Sequence, residues 1–260
     1  MSPATDKPIS RWLNKVPEIT LAFWIIKIMS TTVGETASDY LAVNAGWGQG
    51  FTRGLMMSLL AIALVLQMRT RRCTPWIYWL TVVLVSIVGT QITDLLTDGL
   101  GVSLYVSTSV FAVALAAIFT IWYRIEGTLS IDAIDTPQRE LFYWSAILCT
   151  FALGTAAGDL ATEALGLGFS LGTVVFGVLL ALVYVAWSSG VNAVLTFWIA
   201  YILTRPFGAS LGDLLTQSRN YGGFGLGAAS TSLLFLSVII VLVAFAQFGA
   251  SSRARAEAVE

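Results

Sequence analysis

The chain has 260 residues, 57% hydrophobic and only 11% charged, with a mean hydropathy of +0.80 and a formal net charge of −1. Soluble domains carry about 25% charged residues, so this is the composition of a membrane protein, and the near-neutral balance argues against a nucleic-acid surface. There is no histidine, which removes imidazole metal sites, histidine proton relays, Ser-His triads and His-ligated haem; with no nucleophile motif either, the sequence does not read as an enzyme.

Taken in order, residues 1–16 are polar and carry Lys7, Arg11 and Lys15. The apolar run that follows is too long for a signal-peptide core and lacks a small-residue cleavage site, so it reads as a retained helix. Runs near the ~20 residues that a bilayer-spanning helix needs occur at 18–42, 51–69, 75–98, 103–124, 138–163, 168–187, 191–216 and 226–248. Pro17, Pro75 and Pro137 stand where the first, third and fifth helices are expected to begin, with Thr74 and Thr136 as N-caps. Arg69, Arg71, Arg72, Arg124, Arg139, Arg253 and Arg255 fall with the N-terminal cations on one side, against Arg53 and Arg219 on the other. The positive-inside rule therefore places both termini in the cytoplasm. Cys73, in a basic loop, and Cys149, inside an apolar run, have no metal-type spacing and read as structural.

One pattern is written four times: an aromatic pair ending in Trp, a Gly ten residues after the Trp, and an Asp five residues after the Gly. The copies are Phe23-Trp24, Gly34, Asp39; Tyr78-Trp79, Gly89, Asp94; Tyr143-Trp144, Gly154, Asp159; and Phe197-Trp198, Gly208, Asp213. Such self-similarity marks a repeat architecture. Each copy spans two apolar runs, which returns the chain to its starting side. The expected fold is therefore all-α: a single polytopic membrane domain over 1–260, with eight transmembrane helices as four parallel-oriented helical hairpins. The repeats are expected at about 17–72, 73–126, 138–188 and 189–249, with a cytoplasmic linker at 127–137.

The parts of the repeat carry different chemistry. Trp24, Trp79, Trp144 and Trp198 lie early in the odd-numbered helices and read as interfacial belt residues. Gly34, Gly89, Gly154 and Gly208 read as points of close helix packing. The aspartates lie about 22 Å of helix beyond the Trp, at a depth where a carboxylate costs about 2.5–3.5 kcal/mol. Glu35 precedes Asp39 by one turn, and Asp98 and Glu163 follow Asp94 and Asp159 by one turn. These seven acids are the candidate ligands for a hard divalent ion such as Mn²⁺, Mg²⁺ or Ca²⁺, or carriers of protons; the alternative is that each Asp caps the next helix. Two intramembrane cations need partners as well. Lys27 either snorkels to the interface or joins a pathway, and Arg205 is expected in an internal ion pair or an anion contact. Pro206 and Gly208 are expected to kink the seventh helix beside it.

With Trp24, Trp79, Trp144 and Trp198, the segments VGETASD, VGTQITD, LGTAAGD and FGASLGD, and the linker EGTLSI at 126–131, the chain resembles a family of bacterial membrane proteins. That family is built from four tandem repeats of unknown function, each with two transmembrane helices and a characteristic tryptophan. The likeness runs from about Pro17 to about Phe248 and implies an architecture and a bacterial inner-membrane location, but no activity. The residues themselves support a transporter or channel for a small cation, with the lipid bilayer and that cation as partners. The alternative is a non-transporting scaffold or sensor.

Overall fold

The computed structural model of the chain describes residues 14–40 and 48–257, without the side chains of 38, 39, 133, 221 and 250–257. The expected ligand Asp39 and the terminal cations Lys7, Arg11, Arg253 and Arg255 therefore fall outside the described side chains.

The described residues form eight long helices: α1 (Leu21–Asp39), α2 (Gln49–Arg69), α3 (Pro75–Asp94), α4 (Leu104–Glu126), α5 (Pro137–Asp159), α6 (Gly168–Ser188), α7 (Ala193–Thr216) and α8 (Ala228–Glu257). Local chemistry sets several of their starts. Pro75 and Pro137 occupy the first turns of α3 and α5, where a missing N–H costs nothing. Thr136 accepts from Arg139 N at 3.3 Å, whereas the Thr74 hydroxyl turns back to Arg72 O and makes no cap. Helix α1 begins later than Pro17 suggests, because Thr20 accepts from Phe23 N and starts it at Leu21. Helix α7 runs unbroken through Pro206. After Asp94 and Asp159 the chain enters single π-helical turns, Leu95–Gly99 and Leu160–Ala164, which carry Asp98 and Glu163.

Among the described residues, seven of the eight helices, all but α1, are long and apolar enough to cross a membrane. Helix α1 carries Lys27, Glu35 and the run Ser30-Thr31-Thr32, all turned inward. Buried share separates two layers: 61%, 61% and 56% of the apolar windows of α3, α5 and α7 are covered, against 28%, 11%, 11% and 17% for α2, α4, α6 and α8. With α1, the odd-numbered helices form an inner four-helix ring, packed in the order α1–α3–α5–α7 and back to α1.

The outer helices are displaced by one position. The main partner of α2 is α3, of α4 is α5, of α6 is α7, and of α8 is α1. Each outer helix therefore leans on the inner helix of the following repeat, and the two helices of one repeat are not a packed hairpin. The short links at 70–74 and 189–192, like the linker at 127–136, join packed neighbours of successive repeats, while the connections within a repeat, such as 95–103 and 217–227, join helices that are not each other's main partners.

The inner ring closes through the glycines. A Cβ at Gly34 would run into Ser86, one at Gly89 would lie 2.7 Å from Phe151 Cβ, one at Gly154 would strike Arg205, and one at Gly208 would lie 2.8 Å from Thr31. In every case the obstacle stands three residues before the glycine of the next copy, and the fourth copy meets the first. Such close approach is what small residues allow in apolar surroundings. Replacing Gly89 with Ala is expected to destabilise the protein by about 1–3 kcal/mol through overpacking. Gly50→Ala, which meets open space, is the control, and denaturation in detergent measures both.

Candidate functional site: a polar axis through the inner ring

At the first level the aromatic pairs interlock. Phe23 packs on Trp79 (ring centroids 5.2 Å apart), Tyr78 on Trp144 (5.5 Å), Tyr143 on Trp198 (6.2 Å) and Phe197 on Trp24 (5.7 Å). The first ring of each copy meets the Trp of the next, and the circle closes. Trp79, Trp144 and Trp198 are buried and Trp24 half-buried, so these residues do not form the outward-facing belt read from the sequence. Aromatic pairs in edge and tilted contact gain about 0.5–1.5 kcal/mol each beyond their burial, which favours mutual packing over the lipid interface. A 2.6 Å hydrogen bond joins the Tyr78 and Tyr143 hydroxyls, and Trp198 Nε1 donates to Leu129 O of the linker.

Lys27 lies at the next level, three residues after Trp24. It is fully buried and does not snorkel. Its Nζ sits 3.9 Å from the Phe151 ring centre and 4.3 Å from that of Tyr201, and 3.3 Å from Thr31 Oγ1. Aromatic faces compensate a desolvated ammonium by about 2 kcal/mol or more.

Arg205 follows, also fully buried. It occupies the position three before the glycine, where the other copies have Thr31, Ser86 and Phe151. Its guanidinium crosses the axis to the residue just after the glycine in each of the other three copies. Nη2 donates to Glu35 Oε2 at 2.6 Å, to Thr155 Oγ1 at 2.7 Å and to Thr90 Oγ1, while Nη1 reaches Thr31 O at 3.4 Å. The internal ion pair expected of Arg205 is thus made with Glu35. Pro206 packs against Gly154 and Gly158 of α5, which accommodates its ring without ending α7.

Beyond Arg205 the axis turns acidic. The Asp159 carboxylate interacts electrostatically with Glu35, Glu163, Arg205 and Asp94, and Glu163 does so with Asp98 and Glu35. Asp94 and Asp159 are half-buried, and Asp98 and Glu163 are exposed, so exposure rises along the acids one turn further from the repeat glycines. Asp213 is half-buried on α7 and, like Asp94, has an interaction partner. Five of the seven predicted acids therefore share one field. Among the described residues, however, no three of His, Cys, Asp and Glu are close enough to hold a metal ion. At α4, where capping by an aspartate was the alternative, Ser103 Oγ accepts from Val106 N at the helix start.

Several participants escaped the sequence reading. Thr31, Thr90 and Thr155 supply most of the oxygens around Arg205, and the signal was present: the residue after the repeat glycine reads Glu, Thr, Thr, Ala. The one copy without an oxygen there is the copy that carries the arginine. A second buried ion pair lies at the aromatic end, where Lys15 Nζ meets Glu140 Oε2 at 2.5 Å and Met68 O at 3.1 Å, with Gln67 Nε2 on Glu140 Oε1 at 3.4 Å. Nearby, burial and then Glu18 push the Cys73 thiol up to about 12, so it is not a thiolate at neutral pH.

Seven membrane-length helices among the described residues, three of them in the inner ring of repeats and four packed around it, define a multi-pass integral membrane protein. The family model described as Repeat of Unknown Function (DUF347) matches the chain four times, over residues 22–73, 77–128, 142–189 and 196–249. The chain belongs to that repeat family. No curated protein and no solved structure matches it.

Proposed function

We propose that this protein is a transporter for a small cation that exchanges against protons on the axial carboxylates. The observation that carries the proposal is the arrangement around Arg205: one fully buried guanidinium holds Glu35, and Glu35 shares the field of Asp159, Asp94 and Glu163. Ionisable groups at membrane depth mark ion or proton pathways by default. Carboxylates that share one field compete for whatever positive charge enters, be it a proton, a cation or the guanidinium. Mutually exclusive occupancy of one set of carboxylates is the physical basis of exchange.

In this reading all eight helices span the bilayer of a bacterial inner membrane, with the four repeats parallel and both termini cytoplasmic. Arg69, Arg71, Arg72, Arg124 and Arg139 then lie at the aromatic, cytoplasmic end. The acidic end then faces the opposite side, and the interlocked rings close the axis toward the cytoplasm. The absent N–H of Pro206 leaves Ile202 O without its helical partner and gives α7 a place to flex beside Arg205.

The test is flux in proteoliposomes, with Na⁺, K⁺, Mg²⁺, Mn²⁺ and Ca²⁺ gradients imposed in turn. At least one cation is expected to move, at a rate at least about tenfold lower for Asp159→Asn. A scaffold would pass no cation, and Asp159→Asn would alter only its melting temperature; that result overturns the proposal.

A further inference from the structure

We infer that the Arg205 guanidinium occupies a binding cage for a desolvated monovalent cation, formed by Glu35 Oε2, Thr90 Oγ1, Thr155 Oγ1 and the Thr31 carbonyl. The inference rests on the transport reading above and assigns it a site and an ion class.

The cage follows from the direction of each hydrogen bond. The Thr155 hydroxyl donates its proton to Phe151 O at 3.0 Å, and Thr90 has Ser86 O at 3.2 Å and Glu35 Oε2 at 3.3 Å as acceptors. The Thr155 proton is thus committed away from the axis and the Thr90 proton to Ser86 O or Glu35, which leaves lone pairs of both hydroxyl oxygens for Arg205 Nη2. Glu35 Oε2 and Thr31 O are acceptors by nature. Four oxygens from three inner helices converge on one positively charged group, and carboxylate, hydroxyl and carbonyl oxygens are the donors that hard cations take. Charge sets the ion class. The cage contains one carboxylate, balanced by one guanidinium, so an ion that replaces the guanidinium without changing the charge inside the cage carries +1. A divalent ion would add one positive charge to the cage beside buried Lys27, which disfavours it relative to a monovalent ion there. Arg205 is therefore a tethered competitor: when the side chain swings out, Na⁺ or a proton takes its place.

Thermal melting of the purified full-length protein in detergent tests this, with Na⁺ exchanged for N-methylglucamine at constant ionic strength. Arg205→Gln removes the competitor and is expected to bind Na⁺ at least tenfold more tightly than wild type. Adding Thr155→Val, which deletes one cage oxygen, is expected to remove at least half of that gain. Arg205→Gln with Na⁺ dependence no greater than wild type overturns the inference, as does a gain that Thr155→Val leaves intact. Should Arg205→Gln not fold, Thr155→Val alone decides, because the cage predicts at least a tenfold weaker Na⁺ dependence of melting and an unchanged dependence overturns it. Proteoliposome flux separates this from the broader proposal: flux without a Na⁺ gain in Arg205→Gln overturns the cage only, and a Na⁺ gain without flux overturns transport only.

Discussion

Replacing Arg205 with methionine is expected to destabilise the protein by about 3–5 kcal/mol, the usual consequence of removing one partner from a buried ion pair. The substitution keeps much of the side-chain volume and deletes the charge, so packing against Gly154 is largely preserved. What remains is Glu35, facing Asp159, Asp94 and Glu163 without the guanidinium that offsets them, and two threonine oxygens without their donor. Adding Glu35→Gln neutralises the orphaned carboxylate. The double variant should be more stable than Arg205→Met alone, with a coupling of about 0.5–3 kcal/mol. Denaturation in detergent measures the full cycle. If Arg205→Met is as stable as wild type, the ion pair does not hold the axis together.

Lys15→Met should be of similar size, about 3–5 kcal/mol, although Lys15 precedes the first helix. Its ammonium is the charge partner of Glu140, which is fully buried at the start of α5. Without it, Glu140 keeps, among the described residues, the 3.4 Å bond from Gln67. The same lysine joins four segments, since its Nζ also donates to Met68 O of α2 and its backbone N–H to Ile134 O of the linker. Arg53→Ala is the comparison: Arg53 makes an exposed bond to Gln49, and surface changes of this kind stay within about 0.5 kcal/mol. A Lys15→Met variant no less stable than Arg53→Ala would show that this cluster is solvated.

The helices were legible because a bilayer imposes long apolar runs. The expected span 75–98 and the observed helix with its π turn, Pro75 to Gly99, differ by one residue. The repeat was legible too, and so was its glycine, because a residue without a side chain at a fixed spacing has few uses other than close approach. Which helix packs on which was not. Four similar repeats offer each outer helix two equivalent inner neighbours, and only tertiary packing selects the one in the following copy. The tryptophans misled for a related reason. A ring at membrane-interface depth satisfies the lipid boundary or a neighbouring ring equally well in one dimension, and only closure of the circle reveals the second. Lys15 and Glu140 lie 125 positions apart, and no local pattern links them. Arg205 was singled out for its depth, but its partners appear only when the four copies are aligned on their glycines and Glu35, Thr90 and Thr155 fall into one column. The departures from the repeat, more than the repeat itself, carry the axial chemistry.

That chemistry is tested most directly by the internal pH of proteoliposomes after an inward Na⁺ gradient is imposed. Competition between Na⁺ and protons for the carboxylates around Arg205 predicts that protons leave as Na⁺ enters, so the interior becomes alkaline and the response is lost in Glu35→Gln. An interior pH that stays constant, or a response that survives Glu35→Gln, would contradict exchange on the axis.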